Sequence, residues 1–182
     1  MIITIPKGDH RRVEELLSLL SPDLIYLLRT IKLVEGGSTR QASVLRGLET
    51  CDTHPDIVLI HDGARPWIGA GTIVNVLQTT ATYGACIPVV PSVDAMKQIN
   101  SNGIIRAHLG RTETVCAQTP QGFRYDDILQ AHHRAASDGT YYIDDSEIYS
   151  RYIGEVHTVD GERENRKITF LSDFETDREG EK

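Results

Sequence analysis

The hexapeptide His61-Asp62-Gly63-Ala64-Arg65-Pro66 is the stretch of this sequence best equipped for chemistry. It follows an apolar run at residues 56–60, the pattern of a strand buried on both faces of a parallel sheet. Open parallel sheets bind ligands beyond the carboxyl ends of their strands. At such a position Asp62 can hold hydroxyls or help place a metal–phosphate group, and Arg65 can grip a phosphate in bidentate fashion. The plainer alternative is that Asp62 and Arg65 pair with each other and pin the turn. His61 beside Asp62 suggests an acid–base couple, yet no serine or cysteine nucleophile motif accompanies it.

Other residues offer chemistry more weakly. Gly36-Gly37 precedes Ser38-Thr39-Arg40-Gln41, whose Ser…Gln spacing matches a capping box at a helix start. Glycines let a ligand approach the backbone, and a helix N-terminus favours anions, so the segment suits a nucleotide as well as a simple turn. Neither a Walker A pattern nor GxGxxG occurs in the chain. Lys167 opens an expected strand at residues 167–170, where it either neutralises a phosphate or stands solvated. His132-His133 lies on a helix without a third ligand at suitable spacing, which favours a surface pair over a metal site. Cys51, Cys86 and Cys116 form no CxxC pair, so zinc and a disulfide framework are not expected. Cys51 and Cys116 lack an evident base partner and read as packing residues.

The elements that must position these residues alternate between strand and helix periods. Residues 2–5 and 31–34 read as strands. Between them Asp9 can cap a helix with Val13, Leu16, Leu17 and Leu20 on one face, Ser21-Pro22-Asp23 interrupts, and residues 26–28 are ambiguous. Helices are expected from Gln41 to near Thr50, at 72–80, at 125–136, and from a cap at Asp144 or Asp145 through Tyr152. Further strands are expected at 85–90, 114–118, 156–159 and 167–170. Pro88 is tolerable in its strand only near an edge or bend. Residues 92–113 are too polar for a core strand pair, and Asn102-Gly103 is a hairpin signal, so this stretch reads as a projecting β-hairpin arm. The tail from Asp173 is charged. The 182 residues fit a single α/β domain spanning 1–182, large enough for a core without staples. With 26 acidic against 19 basic residues, the net charge of −7 argues against binding a nucleic acid polymer. No apolar run approaches the roughly 18 residues of a membrane span, and the N-terminus lacks a signal-peptide core. A cytoplasmic protein is expected.

Taken together, the segments resemble the 2-C-methyl-D-erythritol 4-phosphate cytidylyltransferase family of isoprenoid-precursor synthesis. The resemblance runs in order over nearly the whole chain. It passes through Ile2-Ile3-Thr4-Ile5-Pro6, then Gly36-Gly37-Ser38-Thr39-Arg40-Gln41-Ala42-Ser43-Val44 with Gly47-Leu48, then the 61–66 turn. It continues through Asp94-Ala95-Met96-Lys97, Thr119-Pro120-Gln121 and Asp144-Asp145-Ser146 to Asn165-Arg166-Lys167-Ile168-Thr169. It implies a Rossmann-like nucleotidyltransferase sheet, mostly parallel, and a homodimer whose β-arms exchange. The implied substrates are CTP, with Mg²⁺ on its triphosphate, and a phosphorylated polyol. The substrate phosphate would attack the α-phosphorus in line, so that catalysis is positioning and charge neutralisation. By position, Gly37 and Ser43, with Gly36 beside them, match residues that hold the nucleotide, and Asp62 and Arg65 match substrate-binding residues. Arg111 matches an arginine reaching the partner's substrate phosphate from the arm, and Lys167 matches a lysine at the reacting phosphates.

Departures from the family pattern are as specific. The chain opens at what resembles the family's second strand, without the first strand, the glycine-rich loop with its arginine, or the lysine after it. About 30 residues of one βα unit are involved, and the 182 residues are not expected to turn over unaided. That strand is central by resemblance, so its neighbours should show unpaired backbone. Ser38 stands where an aspartate is usual, and Ala95 and Ile143 each replace a threonine of the substrate pocket. Two alternatives to the methylerythritol enzyme are a pentitol-phosphate cytidylyltransferase and a non-catalytic substrate-binding or dimerisation remnant.

Overall fold

The computed structural model describes residues 1–19 and 30–175. Leu20, the Ser21-Pro22-Asp23 interruption, residues 26–28 and the tail after residue 175 lie outside the described residues. The described chain forms two compact units, one of residues 1–58 with 124–155 and the other of 59–123 with the C-terminal stretch from Val156.

The first unit starts with two parallel strands, β1 (Ile2–Ile5) and β2 (Lys32–Glu35), in register from Ile2↔Lys32 to Ile5↔Glu35. Between them runs α1 (His10–Ser18). Asp9 holds its N-cap position by backbone alone, accepting from Val13 N–H, and its side chain makes no cap bond, contrary to expectation. Val13 and Leu17 are half-buried, whereas Leu16 is exposed. Helix α2 (Arg40–Glu49) is capped by Thr39, whose hydroxyl accepts from Ala42 N–H at 3.1 Å. The expected cap at Ser38 is thus one residue early. The unit's core is closed by two later helices. Of these, α4 (Tyr125–Asp138) buries Ile128, Ala131 and Ala135, and α5 (Asp145–Tyr152) buries Ile148 and Tyr149. Asp144 caps α5 through Glu147 N–H at 3.0 Å, and Glu147 returns a bond to Ile143 N–H at 2.7 Å, as the acid spacing there predicts.

The second unit is built on a sheet whose order is β3-β8-β4-β7, with β9 on β4. Its strands are β3 (Ile57–Ile60), β4 (Ala85–Pro91), β7 (Val115–Ala117), β8 (Gln121–Arg124) and β9 (His157–Asp160). Pairing is mixed rather than mostly parallel: β4 runs parallel to β9 and antiparallel to β7 and β8. Helix α3 (Ala70–Tyr83) covers this sheet through buried Thr72, Val76 and Thr80. Pro88 lies inside the central strand β4, not at an edge. Its carbonyl accepts from Gln118 N–H, so its nitrogen faces the same side, where β7 and β8 are interrupted at the Thr119-Pro120 peptide. One ladder bond is forgone there, and the strand tolerates the proline.

β5 (Lys97–Ile99) and β6 (Ile105–His108) pair antiparallel as the expected hairpin. Its turn is closed by the Asn100 side chain, which accepts from Asn102 and Ile104 N–H, and by Gly103 at φ +77°. The hairpin exposes Ile99, Ile104 and Ile105, with Val93 and Leu109 beside it. Residues 167–170 form no strand. They belong to a loop that runs from β9 toward a terminal turn of helix, α6 (Ser172–Glu175). No described helix is long and apolar enough to cross a membrane.

Candidate active site

In the second unit the turn after β3 is a closed arrangement of polar groups. The His61 ring lies 2.9 Å from the Arg65 carbonyl through Nε2 and 2.9 Å from Thr119 Oγ1 through Nδ1. A carbonyl only accepts, so Nε2 is the donor there, and in the neutral ring Nδ1 accepts a hydrogen bond from the Thr119 hydroxyl. That hydroxyl in turn accepts from Asp62 N–H at 3.0 Å. Both imidazole nitrogens are therefore engaged in shaping the turn, and the geometry makes no His61–Asp62 acid–base couple.

Asp62, thus oriented, meets Lys167: Nζ and Oδ2 are 2.8 Å apart, with the carboxylate side chain 15% and the lysine side chain 45% exposed. Arg65 does not pair with Asp62. Its Nη1 donates to the Asn165 carbonyl at 2.7 Å and its Nη2 to the Ala117 carbonyl at 3.4 Å. Burial lowers its pKa, and the Asp62 charge partly opposes that shift. The guanidinium thus clasps two backbone carbonyls instead of forming the ion-paired pin. Arg111 is exposed in the turn between β6 and β7 and makes none of these contacts.

In the first unit the structure brings Gly36, Gly37 and Ser43 together. Ser43 Oγ accepts from Gly37 N–H at 3.0 Å and donates to the Thr39 carbonyl at 2.8 Å. The turn is so tight that a Cβ on Gly36 would lie 2.7 Å from Ser43 Oγ, and one on Gly37 would overlap Ala42. Glycine is required at both for close approach. Behind this turn, Asp145 is fully buried and bonds Arg40 at 2.8 Å and His132 at 3.0 Å. Burial favours the neutral carboxyl, but the His132 bond and the Arg40 charge outweigh it and hold the pKa below its usual value. His132 is therefore a core residue and not half of a surface pair; His133 alone is exposed. Cys86 is buried, and burial raises its pKa, as it does for Cys51. Among the described residues no three His, Cys, Asp or Glu side chains cluster as a metal cage.

Against known proteins, a family model described as 2-C-methyl-D-erythritol 4-phosphate cytidylyltransferase matches residues 1–178. The chain belongs to that family. It is 47% identical over 141 residues to a bifunctional enzyme IspD/IspF of Bradyrhizobium sp. strain BTAi1, covering 76% of this chain and 36% of that one. Over 175 residues it is 39% identical to the bifunctional enzyme IspD/IspF of Nitrobacter hamburgensis, covering 91% and 43%. It thus spans less than half the length of these curated relatives. The fold matches the 4-diphosphocytidyl-2C-methyl-D-erythritol synthase of Anaerococcus prevotii at TM-score 0.83 and 26% identity, covering 96% of this chain and 75% of that one. It also matches the 2-C-methyl-D-erythritol 4-phosphate cytidylyltransferase of Thermus thermophilus at TM-score 0.77 and 30% identity, covering 96% and 78%.

What sequence reasoning missed in this cytidylyltransferase-family chain is the support beneath the charged groups. Gln118, Thr119 and Asn165 are almost wholly buried polar residues beside the turn. Gln118 Nε2 donates to the Glu162 and Asn165 carbonyls at 2.7 and 3.2 Å, and its Oε1 accepts from Glu162 N–H at 3.2 Å. Asn165 Nδ2 donates to the Thr119 carbonyl at 2.8 Å. The available signal was the place of Thr119 and Asn165 in two of the motif segments without a chemical role of their own; a polar residue that carries no chemistry but sits among core strands is a candidate brace.

Proposed function

We propose that the chain serves cytidylyl transfer from CTP to 2-C-methyl-D-erythritol 4-phosphate in the cytoplasm. A phosphate oxygen of the polyol substrate forms a bond to the α-phosphorus of CTP, the bond to the bridging oxygen breaks, and pyrophosphate leaves. The nucleophile is already ionised at neutral pH, so no general base is needed, and the work left to the protein is to align two anions and offset their charge. The single observation that carries this reading is the Lys167–Asp62 pair at the strand-end turn in a chain of this family.

Lys167 neutralises phosphate charge in the crowded approach, and Asp62 accepts from substrate hydroxyls while orienting the ammonium. Lysine has three donors, so Nζ can hold Asp62 and a phosphate oxygen together. Arg65 adds positive charge beside the site and holds the loop that delivers Lys167. Gly36, Gly37 and Ser43 present backbone to the nucleotide at the start of α2, where the helix N-terminus favours anions. Mg²⁺ belongs with CTP, since this ion takes most of its ligands from phosphates and water and Asp62 is already engaged by Lys167. Arg111 acts across a homodimer, reaching the partner's substrate from the arm, and the exposed isoleucines of the hairpin supply apolar surface for that exchange.

The test is pyrophosphate release with CTP, Mg²⁺ and methylerythritol phosphate, run beside Arg111→Ala, together with direct titration of the polyol phosphate. Binding that Lys167→Ala weakens roughly 100-fold, about 2.7 kcal/mol, is expected. A protein that neither binds methylerythritol phosphate nor turns it over, or that prefers a pentitol phosphate, would overturn the assignment.

A further inference from the structure

We propose that Asn165 is a positioning residue for Lys167, an inference that rests on the function proposed above. The loop carrying Lys167 has no strand ladder of its own, so the placement of the ammonium must come from other bonds. The main chain is held on both sides of the lysine. The Asn165 carbonyl accepts from Arg65 Nη1 at 2.7 Å, and Ile168 N–H donates to the Ala64 carbonyl at 2.8 Å. Only Arg166 and Lys167 lie between these anchors, and the Arg166 guanidinium stacks over the Trp67 ring at 4.6 Å.

The Asn165 side chain locks this arrangement from beneath. It is fully buried, and its Nδ2 faces the Thr119 carbonyl at 2.8 Å, with Gln118 Oε1 at 3.5 Å. Because a carbonyl only accepts, the amide orientation is determined. Thr119 is also the residue whose hydroxyl receives Asp62 N–H. One side chain therefore ties the lysine-bearing loop to the same residue that orients Asp62. Removing the amide leaves the backbone bonds in place but frees the loop to shift, and displacements of about 1 Å at such a site cost on the order of 100-fold in rate.

The experiment measures steady-state kinetics for the full chain and for Asn165→Ala, with Asn165→Ser as a second variant should the first fail to fold. Each is also placed in a Lys167→Ala background. Separately, the Lys167 ammonium resonance is recorded by NMR at low temperature in the ligand-free protein. The expected result is a loss of about 30-fold in kcat/KM for the polyol phosphate, or in its affinity by titration where the 182 residues do not turn over, an unchanged KM or Kd for CTP, and no further loss in the Lys167→Ala background. The ammonium signal, protected by Asp62 in the unsubstituted protein, should broaden in the variant. An equal loss in both backgrounds, a parallel rise in the CTP KM, or an unchanged ammonium signal would overturn the proposal. If the unsubstituted protein neither turns over nor binds methylerythritol phosphate, the function assignment falls alone, and the ammonium signal still decides the role of Asn165.

Discussion

Lys167 and Asp62 stand 105 residues apart in the chain and 2.8 Å apart in the fold. Neither is fully solvated, the lysine being 45% and the aspartate 15% exposed. A single ion pair with a partly solvated lysine contributes modestly to stability, so its significance lies in where it leaves a positive charge. Asp62→Asn retains shape and removes the charge that steers Nζ. The KM for the polyol phosphate should rise about tenfold, equivalent to about 1.4 kcal/mol, while thermal stability and the KM for CTP stay level. Kinetics with each substrate varied in turn, beside a melting curve, check this.

Gly37→Ala places a methyl group against Ala42 in the first turn of α2. Relief requires the turn to open, which breaks the Ser43 contacts. Overpacking of this kind costs about 1–3 kcal/mol, and nucleotide affinity should fall with it. Urea unfolding and CTP titration are the measurements; wild-type stability in this variant would contradict the close approach.

Asp145→Asn should destabilise the protein by about 2–3 kcal/mol. A wholly buried pair that loses one partner costs about 3–5 kcal/mol, but the Arg40 side chain retains 35% exposure and part of its hydration. The sign of the pH dependence follows from the depressed carboxyl pKa. Stabilisation by Asp145 is fully present above the unfolded carboxyl value near 3.9 and is lost as pH falls through the lower folded value. The difference in urea midpoint between wild type and variant should therefore narrow at acid pH.

Much of this architecture was legible in the sequence because it is local. The Asn102-Gly103 turn, the Asp144…Glu147 spacing and the apolar run ending at His61 each act through near neighbours, and each is where the periodicity places it. The errors share a different cause. Thr39 takes the cap expected at Ser38 because Ser43, on the helix, engages Gly37 and fixes the turn. The 167–170 segment has the composition of a strand, yet Lys167 bonds Asp62, Ile168 N–H bonds the Ala64 carbonyl, and Thr169 and Phe170 N–H bond Asp173, contacts outside any strand ladder. His132 is core because Asp145, on another helix, pairs with its Nε2. Arg65 shows the same limit: the carbonyls it meets belong to residues 52 and 100 positions away, so its hold on the loop cannot be read from the turn that carries it.

Asp138 is held down to about 2, chiefly by the Tyr142 hydroxyl and then by the Tyr152 hydroxyl and Thr140 N–H. The bond to Asp138, and then the one to the Tyr142 hydroxyl, raise the pKa of Tyr152. An NMR titration should give an Asp138 carboxyl midpoint near 2, and Tyr142→Phe should return it part-way toward the ordinary value. Because the folded pKa is depressed, this local stabilisation is present above the ordinary carboxyl pKa and disappears as pH approaches the folded value.

The hairpin arm exposes Ile99 and Ile104, each 61% accessible, at its tip. If they line the proposed exchange between protomers, Ile104→Asp should convert a dimer to monomer in sedimentation velocity without changing the helical circular dichroism. A wild-type protein that sediments as a monomer at high concentration would rule out the exchange.

Glu162 joins two parts of the second unit that the chain itself keeps distant. Its carboxylate receives Gly69 N–H and the Thr72 hydroxyl at the start of α3, while its own backbone is bonded by Gln118. The stretch from Glu162 to Lys167 is thereby a ruler fastened at one end to a helix and read at the other by a charge. Side chains along it can vary wherever they point to solvent, but its length cannot. An inserted or deleted residue would leave the Glu162 carboxylate on its helix, yet move Asn165 or Ile168 off its partner and the ammonium with it.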